Sequence, residues 1–123
     1  MKININMNHQ AIKRLANMQK KALELTADAL LTEIRTAQVM PFYTGTLQND
    51  STFAEKSESS SGIVRIVSAT PYARRLYYHP EYDFFQGKNA CAGGRWFDDW
   101  LSGSKKSWCR DTYIRIYRQL TGV

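Results

Sequence analysis

From His9 to about Gln38, the apolar residues Ile12, Ala16, Leu23, Ala27, Leu30, Ile34 and Ala37 recur at spacings of three, four and seven, the signature of one face of an amphipathic helix. Gln19 interrupts the stripe, while Leu15, Met18, Leu25 and Leu31 widen it. The helix is therefore predicted to be sticky over a broad arc, as a helix that meets a neighbouring subunit would be. Asn8 is placed to cap its first turn. Val39-Met40-Pro41 is expected to end it, because the residue before a proline is pushed out of the helical region.

Beyond Pro41 the period changes. Tyr43-Thr44-Gly45-Thr46 predicts a turn, since glycine allows a positive φ and the threonines can bond locally to backbone groups. Leu47 to Lys56 alternates loosely, and Ser57 to Gly62, SESSSG, is expected to be too polar to bury. Ile63 to Ala69, IVRIVSA, is dense in β-branched residues and predicts a strand, so the two stretches form an antiparallel hairpin with a long flexible tip. Pro71 can open a short helical turn to Tyr78, with Ala73, Leu76 and Tyr77 inward and Arg74 and Arg75 outward. Pro80, Gly87 and Gly93-Gly94 then mark an irregular loop, to be pinned by Tyr82, Phe84 and Phe85. In Arg95 to Leu101, RWFDDWL, Trp96 and Trp100 stand at i and i+4, side by side on a helical face with Phe97 adjacent. Ser104 is read as the cap of a last helix, Lys105 to Thr121, ended by Gly122, with Trp108, Ile114 and Tyr117 on one side. The fold class expected is α+β: a long N-terminal helix, a small antiparallel sheet with a long hairpin loop, short helices and a C-terminal helix.

A chain of 123 residues is expected to form one domain spanning 1–123, with a single modest core. Its 43% hydrophobic and 23% charged residues are ordinary globular values and argue against a disordered or fibrous chain. No apolar run is long enough to cross a bilayer, and MKININMNHQ lacks the features of a secretory signal, so no membrane partner is expected. Net charge is +6, spread over the first helix, the Arg74-Arg75 pair and the C-terminal region. Such a balance is first read as the solvated faces of helices, and it suits nucleic acid or an acidic protein surface only if folding brings several clusters to one side.

Candidate chemistry changes this picture little. Cys91 and Cys109, with no CxxC and no paired histidines, read as free thiols; spacing alone leaves a disulfide open, which a reducing compartment disfavours. A structural zinc site needs four ligands in short pairs, and His9 and His79 are isolated. Glu81, Asp83, Asp98 and Asp99 near His79 have a generic spacing, and no HExxH, GxxxxGK[ST] or strand-linked GxGxxG order occurs, so neither an enzyme nor a cofactor is expected. Trp96 and Trp100 with Arg95 could stack and pair with nucleic acid, which defines an alternative reading as a small basic DNA-binding protein; aromatics at helical spacing are more often core. The dominant feature is the density of aromatics between Tyr72 and Leu101, namely Tyr72, Tyr77, Tyr78, Tyr82, Phe84, Phe85, Trp96, Phe97 and Trp100. Rings in such number are typical of cores and of permanent interfaces, and point to assembly.

Three blocks, TGTL at Thr44 to Leu47, YARRLYY at Tyr72 to Tyr78 and GGRWFDDWL at Gly93 to Leu101, carry a resemblance to the minor capsid protein family of tailed bacteriophages. That resemblance covers roughly the middle half of the chain. It implies a non-enzymatic structural protein of the virion, placed in the head-to-tail connector or neck and present in the host cytoplasm during assembly. Its partners would be other neck proteins, a stopper or adaptor and a tail terminator, together with further copies in a homo-oligomeric ring; basic residues lining the channel would meet packaged DNA without reading sequence. The matched positions Thr44, Gly45, Leu47, Tyr72, Arg74, Arg75, Tyr77, Tyr78, Arg95, Trp96, Phe97 and Trp100 transfer as fold and contact elements, with no catalytic residues among them.

Overall fold

A computed structural model of the chain describes residues 2–41 and 46–122, residues 46 and 50 by their backbone alone. The architecture is α+β: helix α1 (His9–Thr36), a π-helical turn (Thr46–Asp50), strand β1 (Thr52–Glu55), a 3-10 turn (Ser59–Ser61), strand β2 (Arg65–Ser68), and helices α2 (Ala73–Tyr77), α3 (Asp98–Leu101) and α4 (Trp108–Thr121). The predicted turn at Tyr43-Thr44-Gly45 lies outside the described residues.

Asn8 caps α1 as its side chain promised, accepting from the Ala11 N–H at 3.1 Å. At 28 residues the helix is about 42 Å long, and only its second half is covered: Ala22, Thr26, Ala27 and Ile34 are buried, whereas Ile12 and Leu15 remain 43% exposed. The apolar stripe is thus a core face from Ala22 onward and an uncovered face before it. The helix stops two residues earlier than Val39 would dictate, because Gln38 takes a left-handed φ of 58° and the Ala37 and Gln38 N–H groups turn back to the Glu33 and Arg35 carbonyls.

β1 and β2 pair antiparallel with Thr52 opposite Ser68, Phe53 opposite Val67, Ala54 opposite Ile66 and Glu55 opposite Arg65. Each strand has four residues, shorter than the alternating stretches suggested. The hairpin tip was expected to be too polar to bury, and Ser57, Glu58, Ser60, Ser61 and Gly62 are exposed; Ser59 is the exception, 5% exposed in a 3-10 turn whose backbone bonds run from Ser59 to Lys56 and from Ser61 and Ile63 to Glu58. Local backbone bonding satisfies the polar groups that burial would otherwise penalise. Arg65 ties the tip further by reaching Glu55 and Glu58, and Lys56 joins Asp28 of α1 at 2.7 Å.

The core gathers Ile34, Met40, Leu47, Ala73, Trp96 and Trp100, with Leu30, Val39, Ile66, Leu76, Tyr77, Phe97 and Trp108 packed around them. α1 and α4 are the most extensively packed pair of elements. Helix α4 begins at Trp108, not Lys105, and Ser107 rather than Ser104 precedes it. Its covered face runs through Trp108, Thr112, Tyr113, Ile116 and Tyr117; Ile114 lies off that face and is 39% exposed, because a helix packed on α1 presents positions four apart. Gly122 closes it at φ 76° with its N–H on the Arg118 carbonyl at 2.8 Å.

Candidate assembly surface

Arg35 sets the middle of the chain in place. Its Nε donates to the Gln48 carbonyl at 3.1 Å, and its Nη2 to the carbonyls of Asn49 at 3.2 Å and Thr52 at 3.1 Å. One guanidinium thereby satisfies three acceptors of the π-helical turn and the first strand residue, a task a fork of five donors performs and an ammonium does not. Thr52 is fully buried, donates to the Leu47 carbonyl at 2.6 Å and shares a hydrogen bond with the Ser68 hydroxyl at 2.8 Å.

Besides the aromatics expected to pin it, the loop after α2 is tied down by a buried amide. Asn89 is buried, and its Nδ2 donates to the Met40 carbonyl at 2.8 Å and to Gln48 Oε1 at 2.6 Å. Backbone bonds from Cys91 to Gln38 and from Gly93 to Val39 continue the seam. Of the expected pins, Tyr82 stacks on His79 with ring centroids 4.7 Å apart, Phe84 is half-buried, and the Phe85 ring lies beside Gly87 while staying 48% exposed. At Gly94 an added Cβ would lie 2.9 Å from Pro80 Cα and 3.0 Å from the Leu76 carbonyl, so the loop passes α2 at a distance only glycine permits.

On this frame stands an aromatic and arginine surface. Tyr72 and Tyr78 are 45% and 59% exposed, Arg74 and Arg75 point outward, and Ala73, Leu76 and Tyr77 face in, as the sequence predicts for α2. Arg95 adopts φ 49° and reaches over the rings of both Tyr77 and Tyr78, 5.8 Å from each centroid. Its Nε donates to Asp98 Oδ2 at 2.7 Å, while the Tyr77 hydroxyl donates to Asp98 Oδ1 at 3.0 Å. The Arg95 guanidinium, and then the Tyr77 hydroxyl, hold the Asp98 carboxyl below its ordinary range. Burial, reinforced by Asp98, pushes the Tyr77 phenol up to about 12. Arg75 turns to Tyr82, its Nε 3.4 Å from the hydroxyl. Ser68, Ala73, Arg74, Tyr77, Tyr78, Trp96 and Phe97 line an open groove of about 370 Å³ between α2 and the edge of β2.

The two tryptophans do not share a helical face. Trp96 precedes α3, which has only four residues, and both rings are in the core, 3% and 6% exposed. Lys105 lies 4.7 Å over the Trp100 ring and pairs with Glu33. A base cannot stack on either ring as they are placed, so the stacking platform assigned to Arg95, Trp96 and Trp100 keeps only its arginine on the surface. Leu47 is likewise a core residue, Phe97 is half-buried, and Thr44 and Gly45 lie outside the described residues. Of the other matched positions, Arg74, Tyr77 and Tyr78 line the groove and Arg95 lies over the two tyrosine rings, whereas Arg75 turns to Tyr82 and Tyr72 is exposed at the start of α2.

Glu81 bonds His79 Nδ1 at 2.7 Å and Asp98 is engaged by Arg95 and Tyr77, so two of the four carboxylates weighed as hydrolytic ligands are committed to different partners. Among the described residues no three His, Cys, Asp or Glu side chains gather as a metal cluster, and no helix is long and apolar enough to cross a membrane. Arg35, Gln48, Ser59 and Asn89 are the structural residues that sequence reasoning missed. What the fold and surface define is an α+β chain presenting tyrosine and arginine side chains beside an open sheet edge. No family model, curated protein or solved structure matches the chain.

Proposed function

We propose that the chain is a structural subunit of the head-to-tail connector of a tailed bacteriophage, assembling as a ring subunit between the portal side of the capsid and the tail. The observation that carries this reading is the open groove lined by Arg74 and Tyr78, with Arg95 over the Tyr78 ring and Tyr72 exposed at the start of the same helix, instead of these side chains entering the core. Tyrosine supplies large contact area at low entropic cost and arginine a planar fork of donors, and both are enriched among the residues that anchor protein contacts. The resemblance of YARRLYY and GGRWFDDWL to minor capsid proteins of tailed phages supplies the biological setting. The proposed partners are further copies and the adjoining neck proteins, a stopper or adaptor on one side and a tail terminator on the other. The role is mechanical, with no catalytic residue and no cofactor assigned.

Quantitative mass spectrometry of purified particles tests this. The chain is expected in a fixed ratio to the portal protein, and its absence from mature particles would refute the reading.

A further inference from the structure

Residues 2–8, KININMN, place Ile3, Ile5 and Met7 at alternate positions, the period of a strand with one apolar side. All three are more than half exposed, at 77%, 82% and 61%. The segment belongs to no helix or strand, and among the described residues its backbone bonding is confined to Asn8 at the helix cap.

A matching vacancy exists on the sheet. The bond from the Ala69 N–H to the Ser51 carbonyl fixes the ladder, so that Phe53 and Val67 face each other through hydrogen bonds while the N–H and C=O groups of Ile66 and Ser68 point away from β1. Among the described residues no hydrogen bond joins those outward groups. The opposite edge is different: Arg35 already occupies the outward carbonyl of Thr52. Ser68 also lines the tyrosine groove, so a strand added to β2 would lay every second side chain beside it.

We infer that residues 2–8 of one copy add as a third strand to the outer edge of β2 in a second copy, seating Ile3, Ile5 and Met7 toward the groove beside Ser68. Reach assigns the acceptor to another molecule. β2 lies beside Thr26 and Leu30 of α1, eighteen to twenty-two residues from Asn8, or about 27–33 Å along the helix axis. Ile3 is five residues from Asn8 and can extend only about 18 Å from it. Donor arm and acceptor edge are different surfaces of the same chain, so the contact can run head to tail and repeat, the geometry that closes a ring, where two copies do not exchange arms reciprocally. It also covers an edge that would otherwise template uncontrolled pairing. The inference rests on the connector reading for its setting, although the contact itself is a property of the isolated chain.

The test uses full-length chains in a Cys91→Ser, Cys109→Ser background, one batch carrying Ile5→Cys and the other Ser68→Cys or, one register along, Ile66→Cys. After mixing and mild oxidation, a disulfide-linked pair that requires both batches is expected. A companion variant with Ile3, Ile5 and Met7 all changed to Asn keeps its thermal unfolding curve and self-associates more than about a hundredfold more weakly. No cross-link in a mixture that sedimentation shows to associate overturns the arm contact and leaves the ring reading standing. No cross-link in a mixture that stays monomeric at the highest attainable concentration overturns the arm contact too, and particle composition then decides the connector role separately.

Discussion

Asn89 shows how a single side chain can hold distant parts of the chain together: one amide nitrogen bridges the end of the α1 connection at Met40 and the π-helical turn at Gln48. Asn89→Ala would leave a buried carbonyl and a buried amide oxygen unmatched. The expected loss is about 1–3 kcal/mol, read from the denaturant midpoint. Two neighbouring ionisable groups bear on pH. Asp98 is held below the ordinary carboxylate range chiefly by Arg95, so its contribution is present above the unfolded value near 4 and disappears as pH falls through the lower folded one. Carboxyl NMR should show Asp98 titrating at the acid end of the aspartates, and Asp98→Asn should remove part of the acid slope of stability. Tyr77 has the opposite sense: the neutral phenol is favoured, so stability present below about 10 is lost as pH rises through about 12. Phenolate absorbance should place Tyr77 last among the tyrosines to ionise. Arg95 and Asp98 are a local i, i+3 pair, but the partners of Asn89 and Tyr77 were not legible in the sequence, because they are brought together by long-range packing with no spacing rule; Asn89 and Gln48 stand forty-one residues apart.

At the scale of elements, the patterns with a strong local cause were readable. Asn8 capping α1, the β-branched run around β2, the inward and outward sides of α2 and Gly122 at the end of α4 follow from capping, branching and periodicity. Where tertiary context decided, the reading failed. The first half of the α1 stripe has no core to face, Gln38 stops the helix by a left-handed turn, and Ser59 is buried because its turn bonds to itself and packs on α1. Arg35 resembled any surface cation in the sequence, yet it holds three carbonyls. Arg35→Lys should therefore cost about 1–3 kcal/mol despite preserving the charge. The aromatic block divides in a way that mutation can expose. Trp96→Ala or Trp100→Ala removes a core ring and should cost about 3–5 kcal/mol of stability in chemical denaturation, whereas Tyr78→Ala, at a ring more than half exposed, should leave folding within about 0.5 kcal/mol and weaken assembly instead.

Among the described residues a core stands beside uncovered regions that include the N-terminal half of α1 with its preceding arm and the tyrosine side around the groove. The aromatic density that led the sequence reading proved to have two destinations: Trp96 and Trp100 build the core, while Tyr72 and Tyr78 stay outside it. The sequence leaned toward a core place for the two tryptophans but could not assign the tyrosines, whose rings favour burial and whose hydroxyls favour water, so packing geometry determines which are enclosed. Lys13, Arg14, Lys20 and Lys21 ride on the exposed half of α1, so any contact with packaged DNA would be expected there and would weaken steeply with added salt. The most direct test of an assembly surface is tyrosine nitration, with modified residues located by mass spectrometry, in intact particles and in the isolated chain. Tyr72 and Tyr78 should react readily in the isolated chain and be protected in particles; equal reactivity of both tyrosines in the two states would contradict the account.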